Sequence, residues 1–364
     1  IFEVYLGDLK AVQRLAKLPT IIEMAYNDVT QQFIDRYSGK LRKMVSVMLG
    51  AQNFYMPIFE QALETYGLPL ELKYLPVIES ALNPNAVSRV GATGLWQFML
   101  ATGKQYGLEV NSLVDERCDP VKSSYAAAHY LSDLYSIFGD WSLVIAAYNC
   151  GPDNINKAVH RAGGVKDYWK IYPYLPKETR GYVPAFIAAN YIMNYYCEHN
   201  ICPTLSTIPA KTDTIMVDRN VHFEQIAAVT GVDTKKIAAL NPQYRRSIIN
   251  GETKPSILRL EPQEITVFID NEDSIYAYRA DELLTKRSVV AVEQSVQYIP
   301  TSKRSSRRSR SSARNSRRRS TSIRQGDTLS SIAKRNGTTV AKLKKLNPNI
   351  KGSSIRAGKK IRIK

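Results

Sequence analysis

The chain has 364 residues, 44% of them hydrophobic and 23% charged, with a formal net charge of +17. That length supports two or three domains, each able to bury a core, and no apolar run reaches the roughly 18 residues that a membrane-spanning helix needs. Much of the excess charge lies in 303–319, so it says little about the folded parts, and the Met-less opening IFEVYLGDLK predicts a trimmed or mature form, from which any export signal or lipid anchor would have been removed.

Residues 1–66 read as helices, one over 19–37 and one over 41–66. In the second, Met44, Val47, Met48, Ala51, Tyr55 and Ile58 recur at helical spacing. This segment is expected to be a helical scaffold that carries no chemistry. Gly67-Leu68-Pro69 then breaks into a stretch centred on Glu79. Reading 68–82 as roughly helical puts Leu72, Leu75 and Leu82 on one face with Glu79. An acid on an apolar stripe loses hydration, which raises its pKa and suits it to act as a general acid. No Asp or Glu follows from Ser80 to Leu108, so a second carboxylate would have to fold back from Asp115, Glu116, Asp119 or Asp140.

After a glycine turn at 91–94, a short helix is expected over 98–106. Asp119-Pro120 opens the next, as N-cap and first helical residue, and it runs to Phe138 and stops at Gly139. Asp140 caps a helix over 141–149, Pro152 starts another to about 161, and a long final helix over 178–198 is interrupted by Pro184. Residues 205–285 change character, with β-branched stretches at 214–217 and 265–269. The Ser/Arg-rich segment 301–322 holds almost no apolar residue and reads as a linker. Its arginines could meet phosphate non-specifically, but neither a folded nucleic-acid motif nor interleaved aromatics accompany them, so no specific nucleic-acid partner is expected.

A shift of 106 positions lays Val221 over Asp327 and carries Asn241-Pro242 onto Asn347-Pro348 without a gap. Ile226 falls on Ile332, Gly231 on Gly337 and Leu240 on Leu346. Each copy reads as two short amphipathic helices split by Gly and flanked by strands, a βααβ unit closed in the second copy by 361–363. His129, His160, His199 and His222 show no zinc-site spacing, and neither a metal nor a cofactor is implied. Cys197 and Cys202 are close enough to bridge in an exported protein, with geometry left to decide it.

The blocks Glu79-Ser80, Ala86-Val87-Ser88, Gly91-Ala92-Thr93-Gly94-Leu95-Trp96-Gln97 and Ala146-Ala147-Tyr148-Asn149-Cys150-Gly151 resemble, in order and spacing, the signatures of soluble lytic transglycosylase-type domains. The opening Gln325-Gly326-Asp327-Thr328-Leu329 and the ending Leu346-Asn347-Pro348 resemble LysM, a glycan-binding module; the first copy has Asn220-Val221 in place of the Gly-Asp opening. The resemblance implies a mainly α, lysozyme-like catalytic lobe with a helical N-terminal scaffold, plus small α+β LysM-type modules. The expected organisation is scaffold 1–66, lobe 67–202, degenerate LysM-like region 203–285, linker 286–321 and LysM module 322–364.

By the same resemblance, Glu79 is the single acid and then base. It cleaves the β-1,4 bond between N-acetylmuramic acid and N-acetylglucosamine of peptidoglycan and leaves a 1,6-anhydro end. Ser88, Gln97, Tyr148, Asn149 and Tyr182 are carried over as substrate-binding. Trp96 is expected either to floor a sugar subsite or to pack the core, and Asn149 has a helix-capping alternative. Gly326, Asp327, Thr328, Asn347 and Pro348 are the expected glycan-binding set of the LysM module. The implied setting is an exported bacterial protein of the periplasm, with outer-membrane attachment through a removed anchor. A hydrolytic muramidase and a non-catalytic cell-wall binder are the competing readings.

Overall fold

In the computed structural model, which describes residues 2–284, 320–323, 327–347 and 360–363, the chain divides into two units, Ile1–Gln297 and Tyr298–Lys364. The first unit opens with α1 (Phe2–Ala16), α2 (Asp28–Ser38) and α3 (Arg42–Thr65). α2 starts nine residues later than the 19–37 periodicity predicts. Extended Asn27 accepts from the Thr30 amide at 3.0 Å and Asp28 occupies the first turn, which together set the start. On α3 the inward stripe is Val45, Met48, Leu49, Tyr55 and Phe59, whereas Val47 is 57% exposed.

A 3-10 turn (Leu70–Tyr74) and the short α4 (Leu75–Ser80) replace the single helix expected over 68–82. Pro76 lacks an amide hydrogen and so begins a helix rather than continuing one. Ala81 and Leu82 then take left-handed φ values of 52° and 59° and turn the chain away. Leu72, Leu75 and Leu82 are nevertheless all buried.

α5 (Leu100–Gln105) leads to α6 (Pro120–Phe138), whose start is fixed by the Asp119 carboxylate accepting from the Val121 and Lys122 amides. Gly139, at φ 65°, ends it as expected. Asp140 caps α7 (Trp141–Cys150), and α8 (Pro152–Arg161), α9 (Tyr168–Ile171), α10 (Lys177–Arg180) and α11 (Tyr182–Tyr195) follow. The long helix expected over 178–198 therefore breaks at Gly181 rather than at Pro184. Pro184 lies in the first turn of α11, where no internal hydrogen bond is lost.

One hydrophobic core takes in residues from Ala11 to Ile201 together with Leu240, and α2 packs along α11 within it. The N-terminal helices are thus part of the lobe itself. Cys197 and Cys202 stand as free thiols.

A second core, Val217 to Tyr276, belongs to β1 (Asp213–Val217), β2 (Asn220–His222), α12 (Phe223–Thr230), α13 (Thr234–Leu240), β3 (Ile248–Asn250) and β4 (Ser256–Leu260), with α14 (Pro262–Asp270), α15 (Glu272–Ala277) and α16 (Ala280–Leu283) behind them. β1 pairs antiparallel with β4, Ile215 facing Leu258, and β2 with β3, Val221 facing Ile249. α14 corrects the strand-like reading of 265–269. Pro262 at its start and a capping box between Glu261 and Glu264 favour helix, and Ile265 and Phe268 bury one face. The module is tied to the lobe by a bridge between Val114 and Tyr244, with the Asp115 amide donating to the Gln243 carbonyl and the Arg245 amide to the Leu113 carbonyl, both at 2.8 Å.

The second unit contains β5 (Ser320–Ser322), α17 (Leu329–Arg335), α18 (Val340–Leu346) and β6 (Lys360–Arg362) around a small core of Ile323, Leu329, Ile332, Ala333, Leu343 and Ile361. β5 pairs with β6, so the expected linker ends in a strand; residues 286–319 of that linker lie outside the described residues. The sequence repeat is a structural one: α12 and α17, and α13 and α18, begin at the same offset.

Candidate active site

Glu79 sits in the last turn of α4 and lines a cleft of about 590 Å³. Leu75 and Val77 anchor α4 in the core, and the Ser80 hydroxyl donates to the Leu95 carbonyl at 2.9 Å, which fixes α4 against the 86–98 loop. Burial pushes the Glu79 carboxyl up from 4.5 to about 7, against the opposing effect of a hydrogen bond from the Tyr182 hydroxyl to its Oε1. Tyr182 opens α11 and its ring is buried, so the donor arrives on a rigid helix end. Burial first, and then the neighbouring Glu79 carboxylate, push the Tyr182 and Tyr148 phenols well above the ordinary tyrosine range, so both stay protonated donors.

The 86–98 loop forms one wall. Gly94, at φ 89°, lies so close to the Arg117 carbonyl that a Cβ would meet it at 1.8 Å, so only glycine fits. The Ser88 oxygen accepts from the Ala92 amide at 3.0 Å while Ser88 lines the cleft, so it is both a turn residue and a wall residue. Gln97 also lines the cleft, in a left-handed conformation of φ 49°. Its amide nitrogen donates to the Ala86 and Gly94 carbonyls at 3.1 and 2.9 Å, so both amide hydrogens are taken by the loop itself. Only the Gln97 carbonyl oxygen is left for a ligand.

Of the two expectations for Trp96, the structure shows core packing and not a subsite floor. Its side chain is fully buried, its ring packs edge-on against Phe59, and its indole N–H donates to the Ser124 hydroxyl at 2.9 Å. No face is available to floor a sugar subsite. The Tyr148 hydroxyl donates to the Trp96 carbonyl at 2.8 Å, so it braces the wall although it stands near Glu79. Asn149 accepts from the Thr179 hydroxyl at 3.0 Å and links α7 to α10.

Three features escape sequence reasoning. The buried Arg117 is paired with Asp115 at 2.8 Å and donates to the Gly91 and Phe98 carbonyls, tying down the glycine loop from behind. Its signal was weak, because an Arg two residues from an Asp reads as surface. α2 and the start of α3 supply the opposite wall through Phe33, Arg36, Tyr37, Leu41 and Met44, so the segment expected to carry no chemistry shapes the cleft. Finally, Glu178 in the first turn of α10 lines the same cleft. The four acids named as candidates to fold back do not: Asp115 is paired with Arg117, Glu116 with Lys122, and Asp119 and Asp140 cap helices.

In the second unit, the expected glycan-binding residues have structural partners. Asp327 is bidentate to Arg335 at 3.0 and 2.7 Å, and the Thr328 hydroxyl caps α17 by accepting from the Ser331 amide. The Asn347 amide donates to the Leu343 and Arg362 carbonyls and accepts from the Arg362 amide. Asn241 makes the same clasp in the first copy, to Ile237 and Arg259. Gly326 and Pro348 lie outside the described residues.

The Transglycosylase SLT domain family matches residues 56–171, the LysM-like domain family of lytic transglycosylase MltD matches 211–277, and the LysM domain family matches 322–364. Membrane-bound lytic murein transglycosylase D of Escherichia coli (strain K12) is 29% identical over 342 residues, covering 93% of this chain and 69% of that protein. The soluble lytic murein transglycosylase of the same strain is 32% identical over 124 residues, covering 32% of this chain and 19% of that protein. Membrane-bound lytic murein transglycosylase F of Maricaulis maris (strain MCS10) is 35% identical over 128 residues, 32% of this chain and 26% of that protein. With these matches in this order, the chain carries a Transglycosylase SLT domain followed by LysM-type modules, and over most of its length it is similar to membrane-bound lytic murein transglycosylase D.

Proposed function

We propose that the chain cleaves the β-1,4 bond between N-acetylmuramic acid and N-acetylglucosamine of peptidoglycan without water, with Glu79 as acid and then base. The observation that carries this reading is a half-buried carboxyl held at about 7, at the wall of a cleft and fixed by Tyr182. Protonated Glu79 gives its proton to the glycosidic oxygen as the C1–O bond breaks and C1 takes on oxocarbenium character. The carboxylate then removes the proton of the muramyl 6-hydroxyl as that oxygen bonds to C1, which closes the 1,6-anhydro ring and restores the acid. Tyr182 holds the charged form between the two steps. In this reading the Gln97 carbonyl oxygen and Ser88, both on the cleft lining, meet the sugar.

The experiment is digestion of purified sacculi with mass analysis of the products. Anhydro ends support the reading, and reducing ends heavier by one water overturn it. Glu79→Gln is expected to lose turnover by a factor of about 10² or more while still binding sacculi; appreciable muropeptide release by that variant would remove the acid from Glu79.

Glu178 favours one alternative. A second carboxylate lining the cleft is what a hydrolytic muramidase uses to activate water. Glu178→Gln separates the two: a transglycosylase keeps making anhydro ends, while a hydrolase loses its reducing-end product. The proposed setting is the periplasm, beside the polymer that the LysM-type modules recognise. Among the described residues no helix is long and apolar enough to cross a membrane.

A further inference from the structure

Arg36 lies in the last turn of α2, exposed, on the wall of the cleft that holds Glu79. It forms no ion pair among the described residues. Glu178 lines the same cleft without pairing with it, and the adjacent Asp35 carboxylate accepts from the Gln31 amide at 2.7 Å. The balance of effects on Glu79 is burial against the Tyr182 hydrogen bond, with no contribution from Arg36, so the guanidinium is not there to set the acid. A cation in the last turn suits the helix dipole, but that role does not call for a side chain on the cleft. The neighbouring wall residues Phe33, Leu41 and Met44 are apolar and Tyr37 is a buried phenol, so Arg36 is the charged donor of this wall among the described residues. A planar guanidinium with unspent donors, beside an apolar wall, matches a carboxylate.

We propose that Arg36 is a specificity residue that binds a carboxylate of the glycan strand, carried on its peptide stem, and so favours strands that bear stems. This rests on the peptidoglycan reading of the site and concerns which strands enter the cleft, not how the bond breaks.

The test compares three soluble strand preparations: stem-bearing strands, the same strands with carboxyls amidated by carbodiimide and ammonia, and strands stripped of stems, whose lactyl carboxylate is free. Affinities are measured in the turnover-deficient Glu79→Gln chain with Arg, Gln or Lys at position 36. With Arg36 present, stem-bearing strands are expected to bind about tenfold or more tightly than amidated ones. Arg36→Gln removes most of that preference, and Arg36→Lys restores part of it, since it keeps the charge without the fork. A loss confined to stem-bearing strands assigns the carboxylate to the stem, and one confined to stripped strands moves it to the lactyl group. The proposal is overturned if the Gln variant weakens stem-bearing and amidated strands by the same factor, or if Arg36 gives no preference. Product chemistry of the Glu79-intact enzyme is read separately, so failure of the transglycosylase reading is not confused with failure of the Arg36 assignment.

Discussion

The Tyr182 hydroxyl donates to Glu79 Oε1 from a helix 103 residues downstream, so the acid's protonation is set jointly by the burial of α4 and by the first residue of α11. Burial favours the neutral carboxyl and Tyr182 favours the charged one, and burial wins by holding the group at about 7. The protonated fraction falls as pH rises through that value, and under the proposed mechanism the rate is expected to fall with it. Tyr182→Phe removes the hydrogen bond that favours the carboxylate. Its alkaline limb is expected to move upward, on the order of 1 pH unit, in a pH profile of anhydro-end release.

The same shift has a stability consequence. The folded state binds the Glu79 proton more tightly than the unfolded chain does. Stability from this group is therefore complete below about 4.5 and is lost as pH rises through about 7. Glu79→Gln carries no charge and escapes the loss. Its melting temperature relative to the parent should rise between about pH 5 and pH 8, with up to about 3 kcal/mol at stake. A pH-independent difference in thermal unfolding would contradict this.

Trp96→Ala should act on folding. Its ring is buried against Phe59 and its N–H is bonded to Ser124. Removing it is expected to cost about 3–5 kcal/mol in denaturant unfolding. Saccharide affinity, measured where the variant is still folded, should follow the folded fraction and show no separate subsite loss.

Arg117→Met leaves Asp115 buried with Arg245 at 3.6 Å as its remaining cation and frees the Gly91 and Phe98 carbonyls. A loss of about 3–5 kcal/mol is expected. Because Arg117 holds the loop that carries Ser88 and Gln97, KM for glycan strands should rise as well. A variant with parental melting temperature and KM would show that the loop holds itself.

Asn347→Ala breaks the clasp between the end of α18 and β6, three hydrogen bonds at 2.8–2.9 Å. The module is expected to lose about 2–3 kcal/mol, read by amide exchange of β6 in the full chain. Asn241→Ala should loosen β4 in the same way. If Asn347→Ala instead weakens glycan binding while β6 protection is unchanged, the residue belongs to the sugar site.

Local chemistry made much of this fold legible. Asp119, Asp140 and Gly139 announce their helix ends, and the two LysM-type copies overlay at a constant offset because the same cap, turn and clasp residues recur. Glu79 stands out as an acid among Leu72, Leu75 and Leu82, but it is the motif blocks downstream of it, by resemblance, that single it out as a candidate acid. What was not legible depends on contacts distant in sequence. Nothing near Trp96 tells which way its ring turns, nothing near Arg36 shows that α2 faces the cleft, and the Arg117–Asp115 pair acquires meaning only against the Gly94 loop. The stretch at 265–269 misled for the opposite reason: β-branched composition pointed to a strand, while the capping box at Glu261 and Glu264 and burial of Ile265 and Phe268 settled it as helix.

The packing of α2 against α11 bears on how the protein can be dissected. The SLT family match covers 56–171, yet Phe33, Arg36 and Tyr37 before it and Tyr182 after it all border the Glu79 cleft. A fragment trimmed to the match would have its acid without the phenol that steadies it and a trench missing one bank. The shortest piece able to turn over substrate should begin ahead of Asn27 and extend past Tyr195, and expression boundaries drawn tighter than that should yield protein that neither cuts nor folds well.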